Sequence, residues 1–214
     1  MSDYKVGPVH KTVEWFIDTV LVGEIKKVVD AGAGYVAFSL IASGIETLGA
    51  LLDEKEFHDD RLSEERFKNA LRKFFPRDYA PHINSKIEFF LYQHLRCGLV
   101  HVFCPEGRIA FIGAAGAAKM GVKHLQIVED DGYRMLVLVT EDFFQDFTEA
   151  CRKAKVEIGK KTHRKLKQGF VSLFYRLPEP LAPTDRAASP AGEQRLKFDA
   201  ATGVHHSTEP RQGF

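Results

Sequence analysis

A mainly α fold, a helical bundle with a small β-hairpin insertion and a Pro-rich C-terminal tail, is what this sequence predicts. Three observations carry it. Apolar residues recur at three- and four-residue spacing from residue 13 to about residue 103. Short β-rich runs separated by turn residues replace that rhythm between residues 108 and 140. Prolines then crowd the chain from Pro178 onward. The expected organisation is one helical domain over residues 1–177 and a tail over 178–214, mobile or extended.

The elements follow in order. Val13, Phe16, Ile17, Val20, Leu21, Ile25 and Val28 predict an amphipathic helix ending near Gly32. Tyr35, Phe38, Ile41, Ala42, Ile45, Leu48 and Leu52 predict a second, apolar on more than one side and therefore central. Gly44 and Gly49 would let a neighbour approach it closely. Ser63 is placed to cap a third helix, with Glu64 and Glu65 at its positive end, Phe67, Ala70, Leu71 and Phe74 inward, and Pro76 as its stop. A fourth is expected from about Asn84 to Phe103, with Ile87, Phe90, Leu91, Leu95 and Leu99 inward. Four helices on short connections suggest a bundle.

Beyond Pro105, "RIAFI" and "KHLQIVE" read as short strands, "DDG" as a turn, and "YRMLVLVT" as a strand that could pair with the one before it. Thr140 is expected to cap the acidic-started helix "EDFFQDFTEACRKAKVEI". A last helix runs roughly from Lys161 to Arg176.

Hydrophobic residues at 44% and seventeen Phe supply a core and exclude a wholly disordered chain. Three cysteines, Cys97, Cys104 and Cys151, form no disulfide-framework spacing and read as free thiols. The longest uncharged run, Ala31 to Ile45, has fifteen residues, too short for an ordinary membrane span. The N-terminal "MSDYKVGPVHK" lacks an apolar signal core. A cytoplasmic protein without a membrane partner is expected. Between Arg152 and Gln168 eight Lys or Arg stand against the single Glu157, a local charge of +7 in a chain whose net charge is +1. Such asymmetry suits phosphates or acidic partners, although a solvated helix face explains it as well.

The chemistry concentrates in "RCGLVH", Arg96 to His101. Arginine is a permanent cation whose planar fork fits phosphate oxygens. Histidine, with an ordinary pKa of about 6.5, can take or give a proton at neutral pH. Together they suffice to cleave RNA without a metal: the base removes the 2′-hydroxyl proton, that oxygen attacks phosphorus, and the cation steadies the charge. On an ideal helix the five-residue spacing leaves the side chains about 140° apart. Convergence would need the length of the arginine, or a bend at Gly98. By composition alone the alternative is an arginine paired with a carboxylate and a histidine satisfied in the core.

"LRCGLVH", late in the fourth helix of an all-helical region, resembles the R-x4-6-H motif of the HEPN superfamily. "GYVAFSLIASGIETLGALLD" and "RFKNALRKFFPRDY" resemble the first half of HEPN-like bacterial proteins. The resemblance covers about Val13 to Cys104, and loosely the stretch to Ala154. It implies a HEPN-like helical bundle, a homodimer that faces two motifs across one cleft, and metal-independent endoribonuclease activity in toxin or RNA-defence systems. It implies Arg96 as phosphate binder, His101 as the proton-transfer residue and Glu46 of "SGIETLG" as an acidic helper. RNA, and a cognate protein partner, would follow. Cys97 stands where active members often carry a polar residue, and the superfamily includes inactive members. The alternative is therefore a non-catalytic dimeric scaffold, or a ligand- or nucleotide-binding module.

Other constellations point elsewhere. His94, Cys97, His101 and Cys104 are metal-ligand types near one helical face, but at about 1.5 Å per residue the outer two lie roughly 15 Å apart. No metal and no cofactor is expected. "GAAGAAKMG" lacks the Walker ending and the G-x-G-x-x-G pattern, and reads as a flexible connector. Lys160, Lys161, Arg164 and Lys165 become backbone contacts if RNA is the ligand.

Overall fold

In the computed structural model the described residues are 12–57, 59–105 and 108–161. Helix α1 (residues 13–30) starts with a true cap: Thr12 Oγ1 accepts from the Trp15 N–H at 3.1 Å. Its middle, Phe16–Glu24, is a wide π-type helix with i→i+5 bonds, before ordinary α geometry resumes at Ile25. Gly32, at φ 71, turns the chain into α2 (Gly34–Ala50).

Helix α2 is central, as its apolar pattern predicts. Phe38, Ile41, Ile45 and Leu48 have no exposed surface. They meet Ile17 of α1, Phe67 and Leu71 of α3 (Ser63–Phe74), Leu95 and Leu99 of α4 (Tyr92–Val102), and Phe143 and Phe147 of α6 (Thr140–Ile158) in one cluster. Both predicted close approaches occur. A Cβ on Gly49 would sit 1.9 Å from the Arg66 carbonyl oxygen, and one on Gly44 would meet the Phe147 ring at 2.5 Å. The described residues are mostly helical, with one small sheet.

That sheet holds β1 (Ile109–Ile112), β2 (Ile127–Asp130) and β3 (Tyr133–Val139) in the order β1-β3-β2. The expected hairpin is present: β2 and β3 are antiparallel, turning through Asp131 at φ 46 and Gly132 at φ 76. The first strand lies parallel to β3, Ile109 opposite Leu136. Alternate residues of β3 face two clusters, Leu136 and Leu138 in the main core and Val137 and Val139 against Ala117 of α5 (Ala114–Met120).

Several expectations need correction. Residues 84–90 do not begin the fourth helix. Asn84 Oδ1 accepts from the Lys86 N–H at 3.0 Å and its carbonyl from the Ile87 N–H at 3.2 Å, a local turn that competes with helix. "GAAGAAKMG" is no flexible connector but helix α5, entered from extended Gly113 and ended by Gly121 at φ 66. Neither Ser63 nor Thr140 is an N-cap: each is the first helical residue, and Thr140 Oγ1 reaches the Ile112 carbonyl at 3.3 Å instead. The strand in "KHLQIVE" starts only at Ile127. Apart from Lys161, the last expected helix and the Pro-rich tail lie outside the described residues.

One buried cation has no counterpart in the sequence reading. Arg66, 3% exposed, gives its Nε to Asp53 Oδ2 at 2.7 Å. Its terminal nitrogens reach the carbonyls of Glu56 at 2.6 Å and Phe57 at 2.9 Å. It thereby ties the connection after α2 to α3.

Candidate functional site

The candidate site is built on α4. Its residues 92–102 form a wide helix, and the closing bond runs from the Phe103 N–H to the Gly98 carbonyl, five residues back. The winding of α4 differs from the expected α geometry. An i→i+5 helix takes fewer than five residues per turn, so a residue and its fifth successor lie just over one turn apart, offset but on the same side. Arg96 and His101 therefore fall on one side of α4, not 140° apart. Among the described residues each wide stretch contains a glycine, Gly23 or Gly98, which lowers the cost of leaving α geometry.

The Arg96 side chain, 16% exposed, donates from Nε to Glu46 Oε2 of α2 at 2.6 Å. Its guanidinium carbon lies 5.8 Å from the centre of the Tyr92 ring. Its terminal nitrogens bond to no protein group among the described residues. Burial, then the neighbouring Cys97, pushes the Tyr92 hydroxyl up to about 12, so it stays protonated at neutral pH. His101 is exposed and has no hydrogen bond or ion pair among the described residues. The structure thus joins two of the three residues named as catalytic, Arg96 and Glu46, and sets the third on the same side of α4, open to solvent.

Beyond His101 the helix ends on Phe103, whose carbonyl accepts from Tyr35 Oη at 2.6 Å. Burial, then Cys104, raises the Tyr35 hydroxyl above its ordinary range. Tyr35, Val36 and Leu40 of α2, with Val100 and Phe103, are among the large apolar residues left exposed.

The basic candidates are not gathered at this site. Lys161 Nζ donates to the Leu52 carbonyl at 2.9 Å, after the end of α2, and Lys160 lies 3.7 Å from Glu157. Lys161 thereby answers the negative end of a helix. Arg164 and Lys165 lie outside the described residues. Among the described residues no three His, Cys, Asp or Glu side chains gather to hold a metal ion. The N-terminus of α5 offers no phosphate cradle either, because Glu141 Oε2 already accepts from the Ala114 N–H at 2.7 Å.

A second polar cluster escaped the sequence reading: Tyr79, His124 and Asp146. The Val139 N–H donates to His124 Nδ1 at 3.0 Å, so that nitrogen carries no proton. Nε2–H then donates to Tyr79 Oη at 2.8 Å, and the Tyr79 hydroxyl donates to Asp146 Oδ2 at 2.8 Å. Burial, then His82, pushes His124 down to about 4. Burial, then Asp146, drives Tyr79 far above its ordinary range, and burial raises Asp146. With His124 neutral, its 3.8 Å approach to Asp146 is no ion pair. Every proton in the chain has an acceptor and none is poised to move, so the cluster acts as a strut between the sheet, the 3₁₀ turn Arg77–Ile83 and α6.

No helix among the described residues is long and apolar enough to cross a membrane. Set beside family models, curated proteins and solved structures, the chain matches none.

Proposed function

We propose that this chain is a HEPN-like, metal-independent endoribonuclease whose active cleft lies between two copies. The observation that carries the reading is the placement of Arg96 and His101 one turn apart on the same side of the wide helix α4. Arg96 is held at Nε by Glu46, with its terminal nitrogens left over for phosphate oxygens. His101, open to solvent, takes the 2′-hydroxyl proton. The 2′ oxygen attacks phosphorus and the bond to the 5′ oxygen breaks. The second copy's histidine protonates that oxygen, leaving a 2′,3′-cyclic phosphate. Val36, Leu40 and Val100, all exposed, give a second copy apolar surface on which to seat. Of the two described basic candidates, Lys160 is the exposed one, and it would meet RNA backbone outside the cleft.

The test is incubation of total RNA with wild type and with His101→Ala, with product ends mapped and a chelator added in parallel. Cleavage to cyclic phosphate ends, lost in the variant and indifferent to chelator, is expected. Intact RNA with pure dimeric wild type overturns the reading.

A second reading, a non-catalytic dimeric scaffold or nucleotide-binding module, draws on one observation. Arg96 is already engaged by Glu46 and Tyr92, as an arginine joining two helices would be. Under it, wild type and His101→Ala leave RNA equally intact.

A further inference from the structure

Phe103 is where backbone and environment conflict most. It ends α4 in the left-handed region, φ 54 and ψ 29, a position that glycine fills at least cost and bulky residues fill worst. Its ring gains little burial in exchange, since 61% of the residue is exposed. Tyr35 holds it there, through the hydroxyl on its carbonyl and a ring 5.6 Å away at 44°. Tyr35 stands edge-on to Phe111 at 5.6 Å, and Phe111 stacks at 4.0 Å on wholly buried Phe38. A file of rings thus runs from the core to the surface and delivers an aromatic face to solvent, two residues past His101.

Strained backbone persists only where its surroundings impose it, and ligand clamps are a common place for it. An exposed ring at the end of the helix that carries Arg96 and exposed His101 matches one kind of ligand well. A nucleotide of single-stranded RNA offers a flat base to stack and a phosphate to pair, and every base has such a face. We infer that Phe103, seated on Tyr35, is the platform on which the base next to the scissile phosphate stacks. The identity of the ligand rests on the ribonuclease reading. A second copy of the chain is the rival occupant. It suits the exposed aliphatic Val36 and Leu40 better than an aromatic ring two residues past the exposed His101.

The probe is a short 2′-O-methyl oligouridine carrying one 2-aminopurine. It cannot be cleaved, because the attacking hydroxyl is blocked, and it loses fluorescence when its purine stacks. Phe103→Gly removes the ring and relieves the left-handed backbone. It is expected to keep or raise the melting temperature while weakening oligonucleotide binding roughly ten-fold and abolishing the quenching. Phe103→Trp should retain both. Unchanged binding and quenching in Phe103→Gly overturn the platform. So does a loss of self-association with oligonucleotide binding intact, which gives the ring to the second copy. Wild type that leaves ordinary RNA whole yet quenches the probe removes the nuclease and keeps the platform.

Discussion

The Glu46 carboxylate on α2 takes the Nε proton of Arg96 on α4 at 2.6 Å, and so decides where the rest of that guanidinium can reach. Both side chains are less than a fifth exposed. The contact therefore lies between a surface ion pair and a buried one.

Glu46→Ala should consequently cost about 1–2 kcal/mol in urea unfolding. On the ribonuclease reading it should also lower RNA cleavage at least roughly ten-fold, because Arg96 loses its orientation. Glu46→Gln keeps an acceptor and should restore most of both. A fully active, fully stable alanine variant would show that Glu46 neither positions Arg96 nor joins the helices.

His124 makes stability depend on pH. Its folded pKa, lowered to about 4 by burial and His82, lies below the ordinary value of 6.5. Its contribution is complete above the unfolded value and shrinks as the pH falls through that interval, by about 3 kcal/mol in all. Burial lowers His82 too, adding to the same loss, whereas Asp146, raised by burial, works in the opposite sense at carboxylate pH. His124→Asn keeps an acceptor for the Val139 N–H without a titrating ring. Its urea midpoint should vary less than that of wild type between about pH 7 and about pH 5. Parallel curves would remove His124 from the account.

Arg66→Met should be severe, about 3–5 kcal/mol, because it removes the charged donors that Arg66, 3% exposed, gives to Asp53 and to the carbonyls of Glu56 and Phe57. Arg66→Lys should rescue little, since a single ammonium cannot span partners that the guanidinium reaches from three nitrogens. Chemical denaturation of the two variants decides it.

Apolar spacing was enough to foresee α1, α2, α3 and α6, because each buries one stripe or, in α2, a broad face. The Asp130–Gly132 turn announced the hairpin for an equally local reason. The misses are those where a short-range signal met a stronger competitor. Asn84 diverts its own backbone into a turn, and α5 hides between two glycines that serve as its ends. The pitch of α4 carries no spacing signal, so Arg96 and His101 seemed to diverge. Glu46 came from resemblance, and its contact with Arg96 joins residues fifty apart in the chain. Tyr79, His124 and Asp146 are brought together only by the tertiary fold, and no window of sequence contains all three.

The order of the small sheet has a consequence for synthesis. β3 pairs with both neighbours, and among the described residues β1 pairs with nothing else. The edge of Ile109–Ile112 therefore stays unsatisfied while a growing polypeptide emerges from the ribosome, until Val139 has been added. In that interval a short, apolar ribbon without its mate is what a chaperone, or a neighbouring nascent chain, would find.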